Sequence, residues 1–400
     1  MRKGKTFKNS HIYTRKLCPP RHMRESCRVV VEGPTGCGKS RNYVLANLLQ
    51  CDSDDYPTSF FVVDHKGEFA AASRALLESK GYTVKVLDLE DPARSNCFYD
   101  PLHYINAEAD VMLAVKSVME NTECLHDGSE FNNKLEELLL TALISLLIHH
   151  KQVRAVPPDF TDLHSMLLYM LNRYPEYRDV WFDFCLIEDM YPRHVAAKAY
   201  RALRAYLGVD AKQNFSLIVE SCLKRVEFLS VYSLPDELCK DAMQLDKFRD
   251  NKVAIFLSSH SCNKATAFLH SLLISQALCS ARSQYDGNVQ SHFMLDEFVS
   301  VGKITALEQL WLHERVFSLP CHRAGFNISL IFQSSEPVKG LYGPELLETF
   351  TTKLQFGRVT SKLDPRKTVH VTQSVPDDST FEDKPYDVTK HPNYKKLTNY

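Results

Sequence analysis

The sequence predicts an α/β fold, a mainly parallel sheet interrupted by a long helical section. Three observations carry this reading. Short β-branched or aromatic runs alternate with helical periodicities near both ends of the chain. Residues 107–245 hold helical periodicities with few strand signals. A glycine-rich segment joins the first strand to the first helix. The 400 residues are enough for a split sheet-containing unit and a helical insert. An apolar fraction of 44% and a charged fraction of 24% exclude a disordered polymer, a fibrous repeat and a polytopic membrane protein.

Taken in order, Val29–Val31 is the first strand and runs straight into Gly33-Pro-Thr-Gly-Cys-Gly-Lys-Ser40. Val44, Leu45, Leu48 and Leu49 then recur at helical spacing. Ser59–Val63 reads as a buried strand ending at Asp64, Glu68–Ser79 as a helix and Val84–Asp88 as a third strand. The helical section follows, with periodicities at 111–119, 135–148, 163–171, 195–207 and 217–229, broken by Pro157-Pro158. Alternation resumes with a strand at Val253–Leu257 and a helix through Leu269 and Leu273. Strands at Phe293–Asp296, Ile328–Phe332 and Leu354–Phe356 complete the pattern, the last of these closing the set. These limits give five parts: a basic arm over 1–28, a first sheet portion over 29–105, an all-α domain over 106–245, a second sheet portion over 246–375 and a polar tail over 376–400.

The net charge is −1, so no whole-chain polyelectrolyte effect points to nucleic acid. The charge is unevenly placed, because the first 28 residues hold nine Lys/Arg and only one acid, Glu25. Such an arm suits DNA, an anionic membrane surface or simple solvation. The 12 cysteines form no Cys-x-x-Cys pair, and the 16 histidines show no metal spacing. That usage fits reduced thiols better than a disulfide framework. The N-terminus lacks the apolar core of a signal peptide. The longest apolar runs, near 138–148 and 268–281, fall short of the ~20 residues of a membrane span.

The sharpest signal is the glycine cluster. GPTGCGKS fits G-x-x-x-x-G-K-[ST] with a strand before it and a helix after it, the context a phosphate-binding loop requires. Gly33, Gly36 and Gly38 let the backbone of Gly33, Pro34, Thr35, Gly36, Cys37 and Gly38 turn its N–H groups toward phosphate oxygens. Lys39 supplies a point charge near the β- and γ-phosphates, and the Ser40 hydroxyl suits Mg²⁺. The loop also needs an acid at the end of a neighbouring strand. Asp296 and Glu297 follow Phe293–Leu295, so Asp296 is expected to hold the metal and Glu297 to act as general base. Asp64 competes for the metal role. Gln333, closing Ile328–Phe332, is placed to sense a γ-phosphate or orient water. Arg323 is the candidate arginine finger, with Arg315, Arg358 and Arg366 as rivals.

Several segments in this order resemble the type IV secretion coupling proteins of conjugative DNA transfer, the TraG/TraD-like ATPases. They are GPTGCGKSRNYV, FFVVDHKGEF, GYTVKVLDLEDPARSNCFYDPLHYI, FMLDEFVSVGKI and RAGFNISLIFQSSEPVKGLYG, and the likeness covers about residues 29–375. The resemblance implies a RecA-like P-loop NTPase core with an inserted all-α domain. It implies ATP and Mg²⁺ as nucleotide and metal, and a homo-hexameric ring at the cytoplasmic face of the plasma membrane. It also implies sequence-independent DNA binding, with a relaxase and secretion-channel proteins as partners. Lys39 and Ser40 then bind nucleotide and Mg²⁺, Asp296 and Glu297 support hydrolysis, and Gln333 lies on the sensor strand. The sequence departs from the family pattern at Asp100, where asparagine is usual, and at His65, where proline is common. A stretch over 313–320 reads as an insertion, and only the basic arm stands where membrane helices usually precede the first strand. Two other functions share the motifs: a DNA motor of the FtsK/HerA type, and a nucleotide-switched adaptor for protein cargo. The helical insert argues against the former and Glu297 against the latter.

Overall fold

Along the first strands, side chains point alternately to two apolar layers. Val30, Phe61 and Val63 pack on one side, while Val29, Val31, Phe60 and Val62 pack on the other. Strands buried on both faces belong to a parallel sheet covered by helices on both sides. A computed structural model describes residues 28–48, 57–123, 130–172, 184, 187, 190, 194–207, 211–232, 241–258, 264–284, 289–308, 326–350, 352–356 and 369–373. The basic arm up to residue 27 and the polar tail lie outside the described residues.

The strands are β1 (Arg28–Glu32), β2 (Thr58–Asp64), β3 (Thr83–Asp88), β4 (Val253–Ser258), β5 (Gln290–Asp296), β6 (Phe326–Phe332), β7 (Thr352–Phe356) and β8 (Val369–Gln373). They form one sheet in the order β3-β4-β2-β5-β6-β1-β7-β8. Every pairing from β3 to β7 is parallel, and only β8 adds antiparallel, against β7. This is a RecA-like P-loop NTPase architecture with a mainly parallel sheet. Leu354–Phe356 is therefore not the final strand. The edge segment VHVTQ carries polar residues at alternate positions, which hides an edge strand from an apolar-run criterion.

Two helical segments cover the face built on Val29 and Phe60: the turns over 40–48, which end in α1 (Leu45–Leu48), and α2 (Glu68–Ser79). Between β3 and β4 come α3 (Glu108–Asn121), α4 (Glu130–Val153), α5 (Asp162–Asn172), α6 (Val195–Leu207) and α7 (Ala211–Arg225). The helix expected at 217–229 thus starts earlier, and a 3₁₀ turn over Glu227–Ser230 follows it. α8 (Ala267–Ser283) lies buried along almost its whole length. These helices share one continuous core with the second face of the sheet, including Phe61, Leu87, Ile255, Leu257, Phe293 and Leu330. Two further short helices, α9 (Ser335–Tyr342) and α10 (Glu345–Glu348), follow β6. No helix among the described residues is long and apolar enough to cross a membrane.

The chain leaves the sheet for the helical section and returns to it along two segments tied to each other. Ala242 N donates to Phe98 O at 3.1 Å, and the Tyr104 hydroxyl donates to Asp241 and accepts from Leu245 N. Lys85, on β3, donates to the carbonyls of Ala242 and Met243 at 2.8 and 2.7 Å. Deeper in the helical layer, buried Arg225 bonds Glu136 at 2.5 Å, Asn133 at 3.1 Å and the Thr122 carbonyl at 2.7 Å, joining α7, α4 and the end of α3. A buried ion pair this fully bonded fixes register more surely than it adds stability.

Asp100 anchors the exit segment by accepting from Leu102 N and Phe160 N at 3.0 and 3.1 Å. Burial pushes its carboxyl up to about 7, against the pull of those amides and of Lys151. The folded chain therefore holds this proton more tightly than the unfolded chain does. The stability it contributes is fully present below about pH 4 and lost as pH rises to about 7. An Asp100→Asn variant keeps an acceptor oxygen and does not titrate. Its Tm relative to the parent should rise by several degrees between about pH 4 and pH 7 and stay level above that. A difference independent of pH in thermal melts contradicts this.

Candidate active site

In a parallel sheet every carboxyl end lies along one edge, and ligands bind in the crevice there. β1 ends at Glu32, and residues 33–39 form the loop that leads into the helical turns over 40–48. Gly36 and Gly38 adopt φ of 77° and 89°, the left-handed region that glycine enters freely. Gly33 is required for a different reason. A Cβ there would lie 2.6 Å from the Phe356 carbonyl oxygen and 2.8 Å from Cys37 Sγ, because β7 presses against the loop. The buried Lys39 ammonium folds over the loop and donates to Gly33 O at 2.5 Å and Pro34 O at 3.3 Å. The helix opens with a π-type turn over Ser40–Val44, and the Tyr43 hydroxyl bonds Ser329 of β6 at 2.7 Å.

Two hydrogen-bonded links join this loop to the rest of the edge. On one side Ser40 Oγ donates to Asp296 Oδ2 at 3.4 Å. On the other, Thr35 Oγ1 donates to Gln333 Oε1 at 3.0 Å, and Gln333 Nε2 donates to Glu297 Oε1 at 2.9 Å. Lys39, Ser40, Asp296, Glu297 and Gln333 thus gather at one place. Thr35, named among the cofactor-binding residues, thus engages its side chain within the protein. Arg323 and its rivals Arg315, Arg358 and Arg366 lie outside the described residues, as does the stretch 313–320.

Asp64 is occupied elsewhere. Its buried carboxylate accepts from Ala70 N at 2.8 Å and holds the first turn of α2, so it caps a helix. Among the described residues no backbone N–H donates to the Asp296 carboxylate. Burial first, then the neighbouring Glu297 charge, pushes its carboxyl up to about 6, opposed by Lys39, His65 and Ser40. A buried carboxylate beside a hydroxyl and short of positive charge is a hard-oxygen donor pair that fits Mg²⁺. Among the described residues no cluster of three or more His, Cys, Asp or Glu side chains could cage a metal unaided. Glu297 has φ 45° and ψ 39°, a left-handed conformation that costs a residue bearing a Cβ about 1–2 kcal/mol. Glu297 and Gln333 also line a cleft of about 1380 Å³ that reaches Asn121, Lys224, Phe228 and Lys303.

A family model described as Type IV secretory system Conjugative DNA transfer matches residues 6–356. The chain belongs to this family. No curated protein sequence matches it significantly. Solved structures of the plasmid coupling protein TrwB share its fold. The complex of TrwB with the ATP analogue ADPNP aligns at a TM-score of 0.59 and 17% identity, over 88% of this chain and 75% of that one. The TrwB complex with ADP and Mg²⁺ aligns at 0.59 and 14%, over the same shares. The conjugative coupling protein TrwBΔN70 with sulfate aligns at 0.57 and 15%, over 89% of this chain and 75% of that one.

Two residues that support this cluster are not marked by the sequence. Ser300 and His65 stand behind Glu297, and nothing in their own types or spacing marked them. The only hint was His65 as a departure from the family pattern. The loop geometry gives a direct test on two glycines. Gly33→Ala should cost about 1–3 kcal/mol in denaturant unfolding, because backbone has to move. Gly36→Ala, which meets nothing within 4 Å, should cost only the ~1 kcal/mol of a left-handed alanine. Equal losses at the two positions contradict the contact with β7.

Proposed function

We propose that this chain is an ATP-hydrolysing coupling protein that binds DNA and delivers a relaxase-bound strand to a secretion channel. The observation that carries the proposal is the double link from the phosphate loop, through Ser40 to Asp296 and through Thr35 and Gln333 to Glu297. Membership of the conjugative DNA transfer family and the nucleotide complexes of TrwB support it.

In this reading the backbone N–H groups of residues 33 and 35–38 cradle the phosphates, and Lys39 exchanges its carbonyl partners for phosphate oxygens. Ser40 and Asp296 are the residues that would hold Mg²⁺, which would supply neutralisation of charge on the phosphate oxygens. Glu297 takes a proton from water as the water oxygen bonds the γ-phosphorus. The γ-phosphorus bond to the bridging oxygen breaks, and ADP and inorganic phosphate result. Gln333, hydrogen-bonded to both Thr35 and Glu297, couples the state of the loop to the general base. In the homo-hexamer that the resemblance implies, an arginine finger would come from a neighbouring copy, with Arg323 the candidate and Arg315, Arg358 and Arg366 its rivals. DNA is held through phosphate contacts and therefore with salt-dependent affinity. Location at the cytoplasmic face of the plasma membrane follows from family resemblance.

Phosphate release by the purified chain, measured alone and with single-stranded or duplex DNA, tests this proposal. Lys39→Ala should reduce release by about 10²-fold or more without altering the melting curve. Full DNA-stimulated release in that variant overturns it, and absence of release by the parent chain, with or without DNA, favours the cargo-adaptor alternative.

A further inference from the structure

β2 and β5 are neighbours, with Val63 opposite Leu295, so the turns that follow them sit side by side at the carboxyl edge. The turn after β5 places Glu297 in the left-handed region. Its carbonyl is held twice by Ser300, whose N–H donates at 2.9 Å and whose Oγ donates at 2.7 Å. The one hydroxyl proton of Ser300 is committed to that carbonyl, so its oxygen accepts from His65 Nε2, the contact that links the two turns. His65 is itself fixed. Gly67 N donates to Asp64 O at 3.2 Å, Gly67 takes φ 69°, and the Asp64 carboxylate is anchored on α2. The Asp64-His-Lys-Gly-Glu68 segment, which the nucleotide site leaves unused, thus ends in a hydrogen bond aimed at the backbone of Glu297.

We propose that His65 and Ser300 are positioning residues for Glu297, a relay from β2 that locks the general base in its left-handed conformation. Gln333 holds the carboxylate from the front, and the relay holds the backbone from behind. The inference rests on the hydrolytic reading of the site. It adds that hydrolysis depends on two residues that touch neither nucleotide nor metal.

The test compares ATP hydrolysis and ADPNP binding in the full chain, Lys39→Ala, His65→Ala, His65→Gln, Ser300→Ala and the His65→Ala/Ser300→Ala double variant. His65→Ala and Ser300→Ala should each lower kcat about tenfold while KM and ADPNP affinity stay within about twofold. His65→Gln should recover most of kcat, because its amide reaches about as far as the imidazole Nε2 and also donates. The double variant should be no slower than the slower single, as expected of residues acting through one bond. Full kcat in His65→Ala, beside hydrolysis that Lys39→Ala removes, overturns the relay and leaves the hydrolytic reading standing. Loss of kcat together with ADPNP affinity and no recovery in His65→Gln assigns His65 a merely structural part and also overturns it. A wild-type chain without Lys39-dependent hydrolysis overturns both.

Discussion

The register of three parallel strands is the constraint on which the site depends. β6 lies between β1 and β5, with Glu32 opposite Phe332 and Asp296 opposite Ile331, so the three strands end level. Two strand spacings put the backbones of β1 and β5 about 10 Å apart. Side chains then have to span the gap, and the two links do so from the loop's Ser40 and Thr35. A slip of one residue in either pairing would turn Asp296 or Gln333 to the opposite face of the sheet. Burial of β6 and of all of β5 beyond Gln290 makes such a slip costly, because it would exchange residues between two separate apolar cores.

The same sheet ties the site to the helical section. Asn121 ends α3, and its side chain bonds Lys303 through both its oxygen and its nitrogen. Ser271 of α8 bonds the Lys303 carbonyl, and Thr305 bonds Ser117 and Glu120 of α3. Residues 298–305, directly after Glu297, are therefore held by α3 and α8 as well as by the sheet. A displacement of Glu297 would be felt in that layer, and the Arg225–Glu136 pair connects it onward to α4 and α7.

Much of this was legible in the sequence because it is local. GPTGCGKS, the two carboxylates after an apolar strand and the bounds of α2 and α6 all depend on neighbours within a few residues. The rest depends on contacts between distant segments. Even the local case of Asp64 is decided by three-dimensional geometry: residue types alone do not distinguish a metal-binding carboxylate from a helix cap, and the bond from Ala70 N does. The insertion of β6 between β1 and β5 is a matter of strand order, which apolar runs do not encode. Likewise, α9 begins at Ser335, where a Glu32 carboxylate from β1 accepts the Ser335 N–H, a partner some 300 residues away. The left-handed backbone of Glu297 is set by Ser300 and His65 rather than by any glycine signal.

In the proposed function, the loop and the two carboxylates at the end of β5 form a single hydrolytic site in which Glu297 serves chemistry and not binding. Glu297→Gln keeps the oxygen that accepts from Gln333 Nε2 and removes the base. Single-turnover phosphate release and ADPNP affinity measured on the same preparation of this variant test the claim most directly. Wild-type affinity is expected, with phosphate release slowed by about 10²–10⁴-fold. Release at the wild-type rate would contradict it.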